Sequence, residues 1–327
     1  VFGVNLDQPV AWFATDEGKR IAANVISYQT PTGGWSKRLD LAKGPRTPGT
    51  DFVSETNGHY EGTFDNDSTT TQLRASARAF KATGNEAAKA AALRGIDYIF
   101  TAQYPNGGWP QVYPLEVGAG YHHNITYNDD VAVNILRLLR DVAAGGPDFD
   151  FVPADIRREA ATREERGIAS ILAAQIRVDG KLTGWGQQHD MLTLKSTGAR
   201  AFEPAGICSS EGASIVRFLM EQPDPSPAII AAVEGANAWF NKTLIMGYAW
   251  ENTPDNGRML VAKPGAGPLW SRLYEIGTDK PIIGGVRTVL YNIAEVSRER
   301  RSGYSWFNNA YARNAEVYKT WHAKYGR

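Results

Sequence analysis

Apolar residues recur at three- and four-residue spacing along almost the whole chain, the pattern of helices with one buried face. The first such segment follows Asp16, which can cap it, with Ile21, Val25 and Tyr28 on one side. Residues 68–83 group Leu73, Ala77 and Phe80, and Gly84 stops the run. An alanine-rich segment follows, with Leu93, Ile96, Ile99 and Phe100 facing inward. Residues 130–144 then present Ile135, Leu138, Leu139 and Val142, and residues 155–175 present Ile168, Ile171, Leu172 and Gln175. The periodicity returns over 210–221, 227–246, 285–299 and 305–325. Strand signals are sparse. An Asp-Gly pair within 177–183 predicts a hairpin, and 258–274 reads as two short extended stretches around 264–268. The pattern predicts an all-α chain with long loops and a few short β-strands.

The chain also resembles itself. Trp35 sits in Thr-Gly-Gly-Trp, Trp109 in Asn-Gly-Gly-Trp and Trp185 in Thr-Gly-Trp, at separations of 74 and 76 residues, each enough for two helices and two loops. In phase with them, Asp65-Asn-Asp-Ser68 opens a helix containing Leu73-Arg74, and Asn128-Asp-Asp-Val131 opens one containing Leu136-Arg137, 63 residues later. Ser209-Ser-Glu-Gly212 opens a third, containing Arg217. Repeated helical hairpins whose loops return to one end predict an α/α toroid with a cleft on one rim. The alternative is a non-repetitive helical protein with chance Gly-Trp pairs.

Composition narrows the choice of partners. The 35 basic and 35 acidic side chains cancel, so no global field draws in nucleic acid or an acidic membrane, and an anionic partner needs a local cluster of Arg or Lys. No apolar stretch approaches a membrane span. Residues 1–30 contain no basic-then-apolar leader, so we expect a mature protein or an excised module. The single cysteine, Cys208, follows the apolar neighbours Gly206 and Ile207, which suit a buried thiol, and it forms no internal disulfide. The 33 Gly and 17 Pro residues imply long, shaped loops.

Two groups of residues stand out on those loops. Asp65, Asn66 and Asp67 precede one helix, and Asn128, Asp129 and Asp130 precede another. Capping accounts for one acid in each group, Asp67 and Asp130 being nearest the helices. The remaining hard oxygens suit calcium, which accepts carboxylate, amide and water ligands. Zinc is disfavoured, because the only neighbouring histidines are His122 and His123, whose side chains diverge. The second group is arginine: Arg200, Arg272 and Arg287 lie among Gly, Pro and aromatic residues at element edges. In Trp270-Ser-Arg-Leu-Tyr274, strand alternation puts Trp270, Arg272 and Tyr274 on one face. Aromatic rings beside a guanidinium suit an acidic sugar: stacking for the pyranose and a fork for its carboxylate. A surface arginine packed by cation–π contact is the alternative.

Eight stretches resemble the pectate lyases of polysaccharide lyase family ten. They are Thr32-Gly-Gly-Trp-Ser-Lys37, Thr63-Phe-Asp-Asn-Asp67, Gln103-Tyr-Pro-Asn-Gly-Gly-Trp109, Tyr127-Asn-Asp-Asp130, Trp185-Gly-Gln-Gln-His-Asp190, Ala199-Arg-Ala-Phe-Glu-Pro204, Leu269-Trp-Ser-Arg-Leu-Tyr-Glu275 and Gly284-Gly-Val-Arg287. They fall in order across essentially the whole chain. The resemblance implies one catalytic domain over 1–327, with lobes around a central cleft, secreted and monomeric, acting on polygalacturonate. It implies calcium held by Asp65, Asn66 and Asp129, with Asp67 and Asp130 secondary. It implies Arg200 as catalytic base, and Arg272, Arg287 and Arg217 as grips on substrate carboxylates. Arg217 also repeats Arg74 and Arg137 on their helices, which suits a structural role equally well.

The implied chemistry is β-elimination, giving 4,5-unsaturated oligogalacturonides. The C5 proton of galacturonate lies α to a carboxylate, and its removal builds charge that cations must neutralise. An arginine base stays mostly protonated near neutrality, so such an enzyme should prefer alkali. Three rivals remain: a helical glycoside hydrolase using Asp65, Asp129 and Glu211, a terpene cyclase, for which Gln103-Tyr-Pro-Asn-Gly-Gly-Trp109 is the only signal, and a pectin-binding module without catalysis.

Overall fold

The structure, a computed structural model, describes residues 3–53, 62–116, 118 and 120–326. Its internal contacts gather into two compact units, Val1–Ser170 and Ile171–Arg327. Among the described residues the α-helices are α1 (Asp16–Ser27), α2 (Thr70–Thr83), α3 (Glu86–Ala102), α4 (Val131–Ala144), α5 (Ala154–Ala174), α6 (Ser209–Met220), α7 (Pro227–Lys242), α8 (Arg298–Ser302) and α9 (Ala312–Tyr325). The unit boundary falls inside α5.

In the first unit α2 packs between α1 and α3. Phe13, Ala22, Ala75, Ala79 and Ala88 are buried there, the small side chains letting helix backbones approach closely. The cap of α1 is Thr15 rather than Asp16: its hydroxyl accepts from Gly18 N at 3.1 Å. Asp16 instead sits in the first turn, where its charge opposes the helix dipole. Gly84 ends α2 in the left-handed region, at φ 69°, as its position in the sequence predicts.

In the second unit α6 packs on α7 and α9. The Asp-Gly hairpin forms as expected, Arg177–Val178 pairing with Lys181–Leu182. Three predicted helices change. The segment 227–246 stops at Lys242. The segment 305–325 starts only at Ala312, because Phe307–Asn308 is a strand paired with Trp270–Ser271. The segment 285–299 is mostly not helical at all. Pro281–Gly285 and Thr288–Leu290 form a hairpin whose register pairs Gly285 with Thr288, so Val286 and Arg287 are its turn. Two glycines followed by β-branched residues resist the helix that apolar spacing alone suggested.

One hydrogen-bonding device recurs four times. The buried indoles of Trp35, Trp109, Trp185 and Trp270 donate Nε1–H to the carbonyls of Val25, Ile99, Ile171 and Phe240, at 2.8, 3.0, 2.8 and 2.8 Å. Those acceptors lie on α1, α3, α5 and α7. In three repeats a buried glutamine tightens the same loop. Gln29 Nε2 donates to the carbonyls of Gly33 and Ala91, Gln103 Nε2 to those of Gly107 and Arg163, and Gln175 Nε2 to those of Thr183 and Ala232, all within 3.0 Å. Gly107 shows why this loop needs glycine: its φ is 93°, and a Cβ there would lie 2.1 Å from the Arg166 carbonyl oxygen. The fourth copy has no Gly-Gly-Trp signature, which is why the sequence spacing reveals only three.

Gln175→Leu would remove both bonds of the bridge and leave the Thr183 carbonyl without its side-chain donor. We expect a loss of about 2–4 kcal/mol in urea denaturation. A loss below about 0.5 kcal/mol would show that the amide bridge is incidental.

Candidate active site

The first unit positions the acids. Trp35 O accepts from Thr63 N, and Trp109 O from Thr126 N, each at 3.0 Å, so both acid-bearing loops leave the tryptophan bracket in the same way. Each then makes a short 3-10 turn, Asp65–Asp67 and Asn128–Asp130, and the two turns pack together. Their backbones match closely: Asn66 has φ 51° and ψ 46°, Asp129 φ 50° and ψ 34°, and Asp67 and Asp130 follow at φ 59° and 60°. Asn and Asp tolerate the left-handed region better than other side chains, which suits them to this turn.

The capping expectation fails. Neither α2 nor α4 has a side-chain N-cap bond. Asp67 accepts from Asn134 Nδ2 at 2.7 Å, and Asp130 occupies the N-cap position of α4 without bonding its backbone. The left-handed turn swings these carboxylates away from the helix N–H groups.

Asp65 is buried, whereas Asn66 and Asp129 are exposed. Asp65 Oδ2 accepts from Lys37 Nζ, and Oδ1 meets no hydrogen bond of ordinary geometry among the described residues. Burial raises the Asp65 pKa, but Lys37 together with Asp129 and Gln111 outweighs it, and the carboxyl lies below its ordinary range. A buried, anionic oxygen with spare acceptor capacity, beside a second carboxylate and an amide, fits calcium. Among the described residues no three carboxylate, imidazole or thiolate groups converge as a cage. These side chains would therefore share the ion with water or substrate oxygens.

The second unit positions the arginines, and they are not bare. Arg200 Nε and Nη2 donate to Glu203 Oε2 and Oε1 at 2.8 and 2.7 Å, and Arg200 N donates to Oε2 at 3.1 Å. Tyr304 Oη donates to Glu203 Oε1 at 2.9 Å. Arg272 Nη2 donates to Glu211 Oε1 at 2.8 Å. With its oxygen facing that guanidinium, the Gln187 amide accepts from Arg272 Nε and Nη2 at 3.2 and 3.0 Å. The Tyr304 ring carries both guanidinia, Arg200 at 5.7 Å and Arg272 at 4.8 Å from its centroid. Glu203 is buried while the Arg200 side chain is 50% exposed, so a solvent-facing cation rests on a hidden anion. Arg287 joins through its backbone: its N donates to Ala201 O at 2.9 Å, and its side chain is exposed at the hairpin tip.

Other expectations change. Trp270 and Tyr274 do not flank Arg272 as sugar platforms; both are buried, the indole bound to Phe240 O and the phenol to Thr243 O. The extended stretch breaks at Arg272, with Trp270–Ser271 and Leu273–Tyr274 pairing with different strands, so simple alternation does not apply. Arg217 donates to Asn314 Oδ1 on α9 at 3.1 Å. Among the described residues no hydrogen bond ties it to the Arg200–Arg272 network. Cys208 is fully buried and donates to Glu211; burial and that carboxylate push its thiol well up, which keeps it inert. Sequence reasoning missed Glu203, Gln187, Tyr304 and Lys37 as site residues. Lys37, Gln187 and Glu203 lie inside the quoted motifs, whereas nothing around Tyr304 signals its role.

His189 and Asp190, the alternative candidates for taking the proton, are both engaged. His189 Nε2 accepts from Gly186 N at 2.9 Å, and Nδ1 pairs with Leu194 O at 2.7 Å, so the donor sits on Nδ1. Asp190 Oδ1 accepts from the backbone N–H groups of Leu192 and Thr193. Burial lowers the His189 pKa from its ordinary 6.5 to about 4. The folded state therefore resists the proton that the unfolded chain takes up below 6.5, and stability present above that pH is lost as pH falls toward 4, by about 3 kcal/mol from this group. We expect His189→Gln to flatten the fall of Tm with pH in that window. An unchanged pH dependence would refute the neutral, buried assignment.

The pectic acid lyase family model matches residues 29–314. A point mutant of a family 10 polysaccharide lyase from Cellvibrio cellulosa, in complex with trigalacturonic acid, is 29% identical; the match covers 97% of this chain and 96% of that one, with a TM-score of 0.82. The family 10 polysaccharide lyase from Cellvibrio cellulosa itself is 30% identical over 96% of this chain and 97% of that one, with a TM-score of 0.80. No curated protein matches the chain. A family match across most of the sequence, joined by likeness in fold over nearly full length, leads to one conclusion: the chain belongs to the pectic acid lyase family and is a polysaccharide lyase.

Proposed function

We propose that this chain is a secreted, monomeric pectate lyase that cleaves polygalacturonate by calcium-assisted anti β-elimination, with Arg200 as base. The observation that carries the reading is the fixed pair of guanidinia, Arg200 and Arg272, each held by a buried carboxylate and both lying over Tyr304. Arg272, a cation locked in place before substrate arrives, stabilises developing negative charge without reorganising, and the same kind of pairing fixes where Arg200 stands. The complex of a similar lyase with trigalacturonic acid supports a polygalacturonate substrate. The fourfold tryptophan bracket supports the repetition of helical hairpins that the sequence pattern implies.

In this reading Arg272 and Arg287, with Arg217 as a lesser contributor, bind uronate carboxylates. Arg200, as neutral guanidine, takes the C5 proton. The C5–H electron pair becomes the C4=C5 double bond, and the C4–O4 bond breaks with its electrons leaving on oxygen. Asp65, Asn66 and Asp129 would hold calcium, whose positive charge would acidify the C5 proton by neutralising the neighbouring carboxylate. A glycoside hydrolase is disfavoured because the family is one of lyases. Glu211, its candidate acid, is also tied to Arg272, Ser210 and Cys208.

Arg200→Ala should lower kcat by about a thousandfold while polygalacturonate affinity falls only a few-fold. Lysine at that position should not rescue it, since an ammonium lacks the guanidinium fork. The parent rate should climb through the alkaline range as the neutral guanidine fraction grows. Loss of affinity in proportion to rate would reduce Arg200 to a substrate clamp. Calorimetric titration of calcium tests the other half. Asp129→Ala should weaken binding at least tenfold in a folded protein, and unchanged calcium affinity would remove that residue from the ligand set.

A further inference from the structure

Glu203 lies outside the catalytic, substrate-gripping and metal roles assigned above, yet it receives four hydrogen bonds. Three come from Arg200, through N, Nε and Nη2, and one from Tyr304 Oη. A carboxylate has about four acceptor positions, so this one is close to saturated. Its side chain is 3% exposed, and such an oxygen pair cannot be hydrated if its partners move away. Burial raises the Glu203 pKa, but the hydrogen bonds and charge of Arg200 outweigh it, and the group lies below its ordinary range. The Glu203 carboxylate is therefore a fixed anion beside a side chain that is otherwise long, flexible and half exposed.

The geometry of that pairing fixes the plane of the guanidinium. Glu203 engages Nε and Nη2 together, a two-point grip that a single bond could not give. The loop is closed on itself, Glu203 N donating to Arg200 O at 2.8 Å and Ala199 N to Glu203 O at 3.0 Å. The side chain of Phe202 lies under the Arg200 guanidinium at 4.7 Å, with Arg300 over the same ring at 3.8 Å. Tyr304 links this loop to Arg272, since its hydroxyl serves Glu203 and its ring carries both arginines. Burial, the largest influence, raises the Tyr304 pKa well above its ordinary value, so the phenol stays a proton donor.

We propose that Glu203 is a positioning residue for the elimination: it holds the Arg200 guanidinium in the orientation that proton removal from C5 needs, and through Tyr304 it sets the spacing between that base and Arg272, read above as the uronate grip. This rests on Arg200 being the base. Glu203 itself touches neither proton nor sugar, so its loss should act on kcat and spare substrate binding. A misplacement of about 1 Å is enough to cost on the order of a hundredfold.

The test compares Glu203→Gln with Tyr304→Phe in the full chain. Glu203→Gln keeps the shape and removes the charge. We expect its kcat on polygalacturonate to fall between about tenfold and a hundredfold, with KM changed less than about twofold. Labelling with phenylglyoxal, followed by peptide mass spectrometry, should show Arg200 modified several-fold faster than in the parent, because the guanidinium is no longer held. Tyr304→Phe removes one bond to Glu203 and keeps the ring, so kcat should fall less, again with KM steady. If Glu203→Gln does not fold, the kcat and KM of Tyr304→Phe decide the question. A folded Glu203→Gln with parental kcat, or with Arg200 no more reactive than in the parent, overturns the proposal. So does a Tyr304→Phe variant with parental kcat. If Arg200→Ala keeps its activity, the base assignment fails instead, and the labelling still reports whether Glu203 holds Arg200.

Discussion

Everything the candidate site does depends on pinning long loops, and the pin is an indole N–H. A buried Trp N–H is costly to leave unpaired, and here four of them find a helix carbonyl. The chain that leaves each tryptophan is thereby fixed in direction, and the residue two positions on reaches the candidate site in every copy: Lys37, Gln111, Gln187 and Arg272. In the first unit Lys37 and Gln111 both bear on the carboxyl of Asp65. In the second, Gln187 and Glu211 both bond Arg272. One backbone device thus presents a carboxylate with spare capacity in one unit and a firmly held guanidinium in the other.

The second layer of order is electrostatic. Asp65, Glu203 and Glu211 are all under 5% exposed, and each has a cationic partner. Removing one partner from such a pair leaves a buried charge uncompensated, at a cost of about 3–5 kcal/mol. That cost keeps the arginines in place. In the proposed reaction a pectate chain, with a carboxylate on every residue, would meet arginines whose orientation is set by the protein interior, which is the condition for stabilising charge as it develops.

Much of this was legible in the sequence. The helices from Thr70 to Lys242 follow apolar spacing to within a few residues, because each buries a single face. The acid loops and Arg200 were readable from residue type and from motifs. The misread parts share a cause. Residues 285–299 carry helical spacing that a Gly-Gly pair and a strand partner override. Trp270 and Tyr274 were assigned to a surface on alternation that a break at Arg272 removes. Asp67 and Asp130 were read as caps because they precede helices, and only the left-handed turn shows that they cannot cap. Tyr304, joined to Glu203 across 101 residues, could not be found by any local rule.

The central claim is that these fixed cations serve an elimination, not a hydrolysis, and product counting tests it most directly. Polygalacturonate is incubated with the protein and calcium, and reducing ends and ultraviolet-absorbing unsaturated ends are measured in the same samples. The account predicts one unsaturated end for every reducing end formed, at all extents of reaction. Reducing ends that accumulate without ultraviolet absorbance would contradict it.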